Sequence, residues 1–169
     1  MKHLDGCTHI DIEEDYHYLR TEFLDVNMRL FKSNPRYKEI ILACTQLAKD
    51  WTATKKEGYK KPHGVSGANL GIPWNIIAIM RDGEPVAMIN PTIIATSRSY
   101  VVGLSNCGSL TLKHPINIQR YEWISFSYFN EDGEKIVEEM VDRTKGGLTI
   151  QHEIEHNLGI LITDKVRVY

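Results

Sequence analysis

The longest helical pattern in the chain begins at Pro35. Tyr37, Ile40, Ile41, Cys44, Leu47, Ala48 and Trp51 recur at intervals of three and four, which predicts a helix over 35–53 with that stripe buried. Ser33-Asn34 ahead of Pro35 reads as a helix start, a cap followed by proline in the first turn. Residues 1–33 read as mixed: Ile12, Tyr16, Leu19, Phe23, Val26 and Leu30 allow a helix, yet 23–26 fits an extended run equally well. Residues 54–63 are polar with Gly58 and Pro62, the composition of a loop, and 64–72 is a run of small residues with three glycines.

Beyond residue 76 the period shortens to two. Strands are predicted at 76–80 and 85–89 around the turn Arg81-Asp82-Gly83, and at 92–96 and 100–104 around the polar Ser97 to Ser99. Residues 122–129 alternate aromatic and β-branched side chains, and Asn130 to Gly133 turns the chain into a further strand at 134–141. Gly146-Gly147 then releases the chain into a last helix and a short tail. The expected class is α+β, with antiparallel β-sheet packed around that late helix and one long N-terminal helix, in a single domain spanning 1–169.

Composition narrows the function classes. A chain of 169 residues with a net charge of −2 has no basic stripe to serve as a footprint for nucleic acid, and the lysines at 55, 56, 60 and 61 read as a solvated loop. No run approaches the roughly 20 apolar residues of a membrane span. The charged start lacks the apolar core of a signal peptide, so the cytoplasm is the expected compartment. Three cysteines are too few for a disulfide framework. Cys44 falls on the apolar face of the first helix, Cys7 in the illegible N-terminal stretch, and Cys107 in the small-residue segment Gly103-Leu104-Ser105-Asn106-Cys107-Gly108-Ser109. That setting, expected to be exposed, makes Cys107 the thiolate candidate.

The predicted last helix bears His152-Glu153-Ile154-Glu155-His156, an H-E-x-x-H run. Residues four apart share a helix face, so two imidazoles can aim at one ion while Glu153 reaches a water beside it. Ile154 and Leu158 give the helix an apolar side, and Gly159 can end it in a left-handed conformation. A helix with two solvated histidines is the bland alternative. Catalytic zinc-type sites take three protein ligands and leave a place for water. Position 162, six beyond His156, is isoleucine and no His, Glu or Cys follows, so the third ligand is expected upstream.

Three segments now stand in order: a Gly-rich loop ending in an amide residue, a cysteine after a strand, and H-E-x-x-H. The chain resembles the peptide deformylases, whose motifs run G-x-G-L-A-A-x-Q, E-G-C-L-S and H-E-x-D-H, over roughly residues 35–162. In that resemblance Gly64 takes the second glycine of the first motif and Asn69 its glutamine, Cys107 takes the metal-binding cysteine, and His152, Glu153 and His156 fall on the third motif. Arg120 lies near the family's arginine that pairs with the glutamate of the second motif. The departures are Ser66 and Gly67 for the two alanines, Ser105-Asn106 for Glu-Gly, Gly108 for leucine and Glu155 for aspartate. The family's long C-terminal helix is also absent, which suggests a divergent short form.

The resemblance implies a divalent ion on Cys107, His152 and His156, with ferrous iron expected and zinc or nickel able to replace it. Glu153 would be the base, and Asn69 and the backbone N–H of Gly108 would meet the oxyanion. Gly64, Val65 and Leu148 would bind substrate. It implies removal of formyl groups from N-formylmethionyl peptides and nascent chains, with the ribosome as a partner. Two other readings stay open: an attenuated deformylase-like protein that binds metal and peptide without efficient turnover, and a structural Cys-His-His zinc domain. Glu153 speaks against both, since a structural site has no use for a base.

Overall fold

The computed structural model describes residues 19–53, 64–107, 109–110 and 115–165. Cys7, the predicted loop at 54–63 and Gly108 lie outside these residues. A short helix, α1 (Met28–Ser33), is capped by Asn27, whose side chain accepts from the N–H groups of Arg29 and Leu30. The long helix α2 (Pro35–Ala53) has the predicted bounds, and Asn34 Oδ1 caps it by accepting from Tyr37 N at 3.1 Å.

The buried line of α2 differs from the expected one. Ile41, Thr45, Ala48 and Thr52 face inward, whereas Ile40 is 50% exposed and Tyr37, Cys44, Leu47 and Trp51 flank the line half-buried. Two threonines can sit there because each hydroxyl donates to its own helix, Thr45 to Leu42 O and Thr52 to Ala48 O, both at 2.8 Å. Hydropathy alone hides such positions.

Five strands form one antiparallel sheet in the order β1-β2-β3-β6-β7: β1 (Gly64–Ser66), β2 (Ile76–Arg81), β3 (Glu84–Thr96), β6 (Trp123–Phe129) and β7 (Lys135–Asp142). Arg81 pairs with Glu84, so it belongs to the strand rather than to the turn, which is the two-residue Asp82-Gly83 with positive φ at both positions. The predicted strands at 85–89 and 92–96 are one strand, bent where Asn90 adopts a φ of 52° and the pairing with β6 shifts. Asn90 exchanges hydrogen bonds with both backbone groups of Val26, at 2.7 and 2.8 Å, which ties the segment before α1 to the bend. A second, two-stranded ribbon pairs β4 (Tyr100–Ser105) with β5 (Ile116–Tyr121). β1 and β5 were not anticipated, β1 because it reads as a glycine loop.

β2 is buried on both faces. Ile77 and Ile79 join Met88, Ile124, Phe126, Ile150 and Ile154 in one cluster, while Ile76 joins Phe31, Ile41, Ile72 and Ile89 in another under α2. Each such isoleucine contributes on the order of 1.5–3 kcal/mol by leaving water. The first cluster seats the last helix, α3 being only the four-residue turn Gly67–Leu70 and α4 running Gly147–Asn157. A Cβ on Gly147 would lie 2.3 Å from Val141 O, so only glycine lets α4 start this close to β7. The helix ends in a Schellman motif: Gly159, at φ 71°, donates to His156 O at 3.0 Å and Ile160 to Glu155 O at 2.9 Å. Leu158 is 47% exposed, so the apolar side of α4 is Ile150 and Ile154 rather than the expected Ile154 and Leu158. Among the described residues no helix is long and apolar enough to cross a membrane.

Candidate metal centre

α4 presents His152 and His156 one turn apart, with Nε2 atoms 3.2 Å from each other. The loop after β4 brings Cys107 Sγ to 3.2 Å from His156 Nε2, and the three ligand atoms lie within 4.8 Å of one another. Two nitrogens at about 2.0–2.1 Å from a tetrahedral ion stand roughly 3.3 Å apart, so this donor set fits one divalent cation. Burial holds both imidazoles neutral, as ligands must be. His156 is pushed down to about 4 by burial and by the Arg120 charge, and His152 falls well below 6.5 through burial, His156, Arg120 and Lys165. Cys107 is 3% exposed, not exposed as expected, and burial raises its thiol to about 11, against the opposing hydrogen bonds of Ser109 and Leu110. A thiol in this setting needs a cation to lose its proton.

Glu153 is buried beside the histidines, and its Oε2 has no hydrogen-bond partner among the described residues. Burial raises its carboxyl to about 8, with Arg120 opposing and Glu155 reinforcing the shift. A Cβ on Gly64 would lie 2.7 Å from Thr149 Cγ2 and 3.0 Å from Glu153 Cγ, so the bare backbone of β1 is what allows it against this carboxylate. Val65, by contrast, turns its side chain into the core with Ala48 and Ala78, which leaves only its backbone to meet a substrate. Leu148 is half-buried on the first turn of α4.

Several polar residues set this geometry, and two of them, Gln151 and Asn157, had no role in the sequence. Gln151 exchanges two 3.0 Å hydrogen bonds with the backbone of Tyr121, pinning the β4–β5 ribbon, and hence the loop bearing Cys107, to α4. Asn157 donates to Ile76 O at 3.1 Å and accepts from Ala68 N at 3.3 Å, holding β2 and α3 at the other end. Arg120, 5% exposed, reaches from β5 to Glu155 Oε2 at 2.5 Å and to His152 Nδ1 at 3.0 Å, and Lys165 bonds the other Glu155 oxygen. Glu155 thus supplies the partner that Ser105 cannot. Polar-to-polar contacts, all but that of Lys165 spanning 30 or more residues, leave no periodic trace, and hydropathy could not have found them.

Asn69 is occupied rather than open. Its Oδ1 accepts from Ser66 N at 2.9 Å and Ser66 Oγ at 2.7 Å, and its Nδ2 donates to Ser109 Oγ.

A family model described as polypeptide deformylase matches residues 25–168. The chain belongs to that family. A peptide deformylase of Pseudothermotoga lettingae is 30% identical over 103 residues, 61% of this chain and 58% of that protein. One of Lactococcus lactis subsp. lactis is 24% identical over 177 residues, covering 93% of this chain and 89% of its own. The crystal structure of a Thermotoga maritima peptide deformylase shares the fold, with a TM-score of 0.67 at 23% identity over 96% of this chain and 99% of that one. Membership makes the chain a metal-dependent hydrolase that removes N-terminal formyl groups from peptides.

Proposed function

We propose that Glu153 performs this deformylation beside a single divalent ion held by Cys107, His152 and His156. The observation that supports it most is the convergence of the three ligand atoms within 4.8 Å of one another, at the helix turn that also carries a buried carboxyl group, Glu153, whose Oε2 has no hydrogen-bond partner among the described residues. Such an ion, when bound, acidifies water and polarises a carbonyl. Glu153 takes the proton of the attacking water, the oxygen joins the formyl carbon, and the proton passes to the amine as the C–N bond breaks, leaving formate and a free N-terminus. Burial, which favours the neutral carboxyl, suits Glu153 to hold that proton between the two steps, and the charge of a bound cation would favour the ionised form that accepts it.

β1 lies at the edge of its sheet, so an extended peptide can pair with the backbone at Gly64 and Val65, and Leu148 offers apolar surface for the methionine side chain. The backbone N–H of Gly108 remains the proposed oxyanion donor on the resemblance alone. Ferrous iron as the native ion, formylmethionyl nascent chains as substrate, the ribosome as their source and the cytoplasm as the compartment rest on the same resemblance, as does a single domain over 1–169. The test is formate release from an N-formylmethionyl peptide by iron-loaded protein, together with metal content of Cys107→Ala. Turnover by the parent and loss of the metal equivalent in the variant are expected; a variant that keeps its metal places the third ligand elsewhere.

A further inference from the structure

We infer that Asn69 and Ser109 are positioning residues for the metal ligand Cys107: with Ser66 they form a one-way chain of hydrogen bonds that ends on its sulfur. This rests on the metal-centre reading above. The direction is set at the far end, where the backbone N–H of Ser66 can only donate and therefore fixes Oδ1 of Asn69 as the acceptor. The Ser66 hydroxyl donates to the same oxygen. The Asn69 amide nitrogen consequently faces Ser109 Oγ, which must accept. That leaves the single Ser109 hydroxyl hydrogen for the Cys107 sulfur, two residues back in the turn that Leu110 N closes on the Cys107 carbonyl oxygen at 3.2 Å, and the Ser109 hydroxyl is among the groups that hold the thiol down against its burial.

Ser66, Asn69, Ser109 and Cys107 are 0%, 7%, 5% and 3% exposed, so little water is at hand to substitute for a missing link. In such surroundings each bond polarises the next, and donors that converge on a ligating sulfur orient it and tune its hold on the ion. The arrangement depends on residues by which this chain departs from its family's motifs. Ser66, in place of alanine, supplies a hydroxyl, and Asn69, one methylene shorter than glutamine, seats its amide within the turn that it caps. Asn69 therefore acts through Cys107 instead of touching the formyl oxygen.

The experiment measures Zn2+ affinity by chelator competition and the thiolate-to-metal absorption of the Co2+-loaded protein. Ser109→Ala is expected to weaken Zn2+ binding about 10–100-fold and to shift the Co2+ band, as loss of a ligand's own hydrogen-bond partner does. Ser109→Thr, which keeps the hydroxyl, restores both. Asn69→Asp, which puts an acceptor where the donor stood, moves both in the direction of Ser109→Ala; should it fail to fold, the alanine and threonine pair decides alone. Wild-type affinity and an unshifted band in Ser109→Ala overturn the inference, and a fall in kcat without change in either readout assigns Asn69 to the substrate instead. Absence of a thiolate band from the Co2+-loaded parent protein would sink the metal-centre reading itself, which is a separate result.

Discussion

The two long helices bury polar side chains on opposite faces of the same sheet, and they treat them differently. In α2 the buried polar residues are Thr45 and Thr52, and each hydroxyl is satisfied three or four residues back along its own helix, Thr45 lying also 3.2 Å from Glu131 Oε1. In α4 they are Gln151, Glu153, His156 and Asn157: Gln151 bonds Gly147 O of its own helix but also β5, Asn157 bonds β2 and α3, His156 Nε2 meets Cys107 and His152, and Glu153 Oε2 and His156 Nδ1 lack partners among the described residues. The first kind of burial costs little, because no group is left without a bond when the helix packs. The second is expensive unless something else arrives, since an unpaired buried polar group costs about 1–3 kcal/mol and a charge more. Polarity unmet among the described residues thus falls on the helix that carries the candidate metal ligands, and the threonines of the other helix are satisfied within it.

That contrast can be pressed hardest at Glu153. Glu153→Gln keeps shape and metal equivalent but is expected to lose about 10²–10⁴-fold in kcat, measured by formate release at saturating peptide. A near-wild-type rate would mean that the orphan oxygen has no part in proton transfer. Arg120→Met comes next. It removes the guanidinium that faces both His152 Nδ1 and Glu155, and breaking such a buried pair typically costs about 3–5 kcal/mol, with metal affinity weakened about 10–100-fold. Denaturant unfolding and chelator competition read the two effects separately.

A smaller effect is expected from pH. Glu153 titrates at about 8 in the folded, metal-free protein against 4.5 when unperturbed, so between those values the folded state holds a proton that the unfolded state has lost. Metal-free stability must therefore fall as pH rises through that window, by on the order of a few kcal/mol in all. The lowered histidines act oppositely, losing stability as pH falls below 6.5, for His156 down to about 4. Comparing metal-free wild type with Glu153→Gln cancels the histidine part; parallel stability curves from pH 5 to 8 would refute the assignment. The smallest effect belongs to α2: Thr52→Val should change stability by less than about 1.5 kcal/mol and leave turnover unaltered, because the Ala48 carbonyl keeps its helical partner. A larger loss would show that this helix too stores polarity its neighbours need.

The residues alone determined what depends on short spacing. Pro35–Ala53 was legible because cap, proline and a three-to-four period all lie within one helix, and so were the paired histidines and Glu153, whose common direction follows from helix geometry. Family membership followed from three short motifs in order. What required the tertiary structure was anything decided by contact across the chain. The bend at Asn90 joined two predicted strands because Val26 occupies its side chain, and the glycine run became an edge strand because a bare backbone was needed against Glu153. Cys107 proved buried, Glu155 rather than Ser105 met Arg120, and Asn69 turned to Ser109. Periodicity reports which way a side chain leaves its own element; which group waits for it there is fixed only when distant elements pack and exclude water.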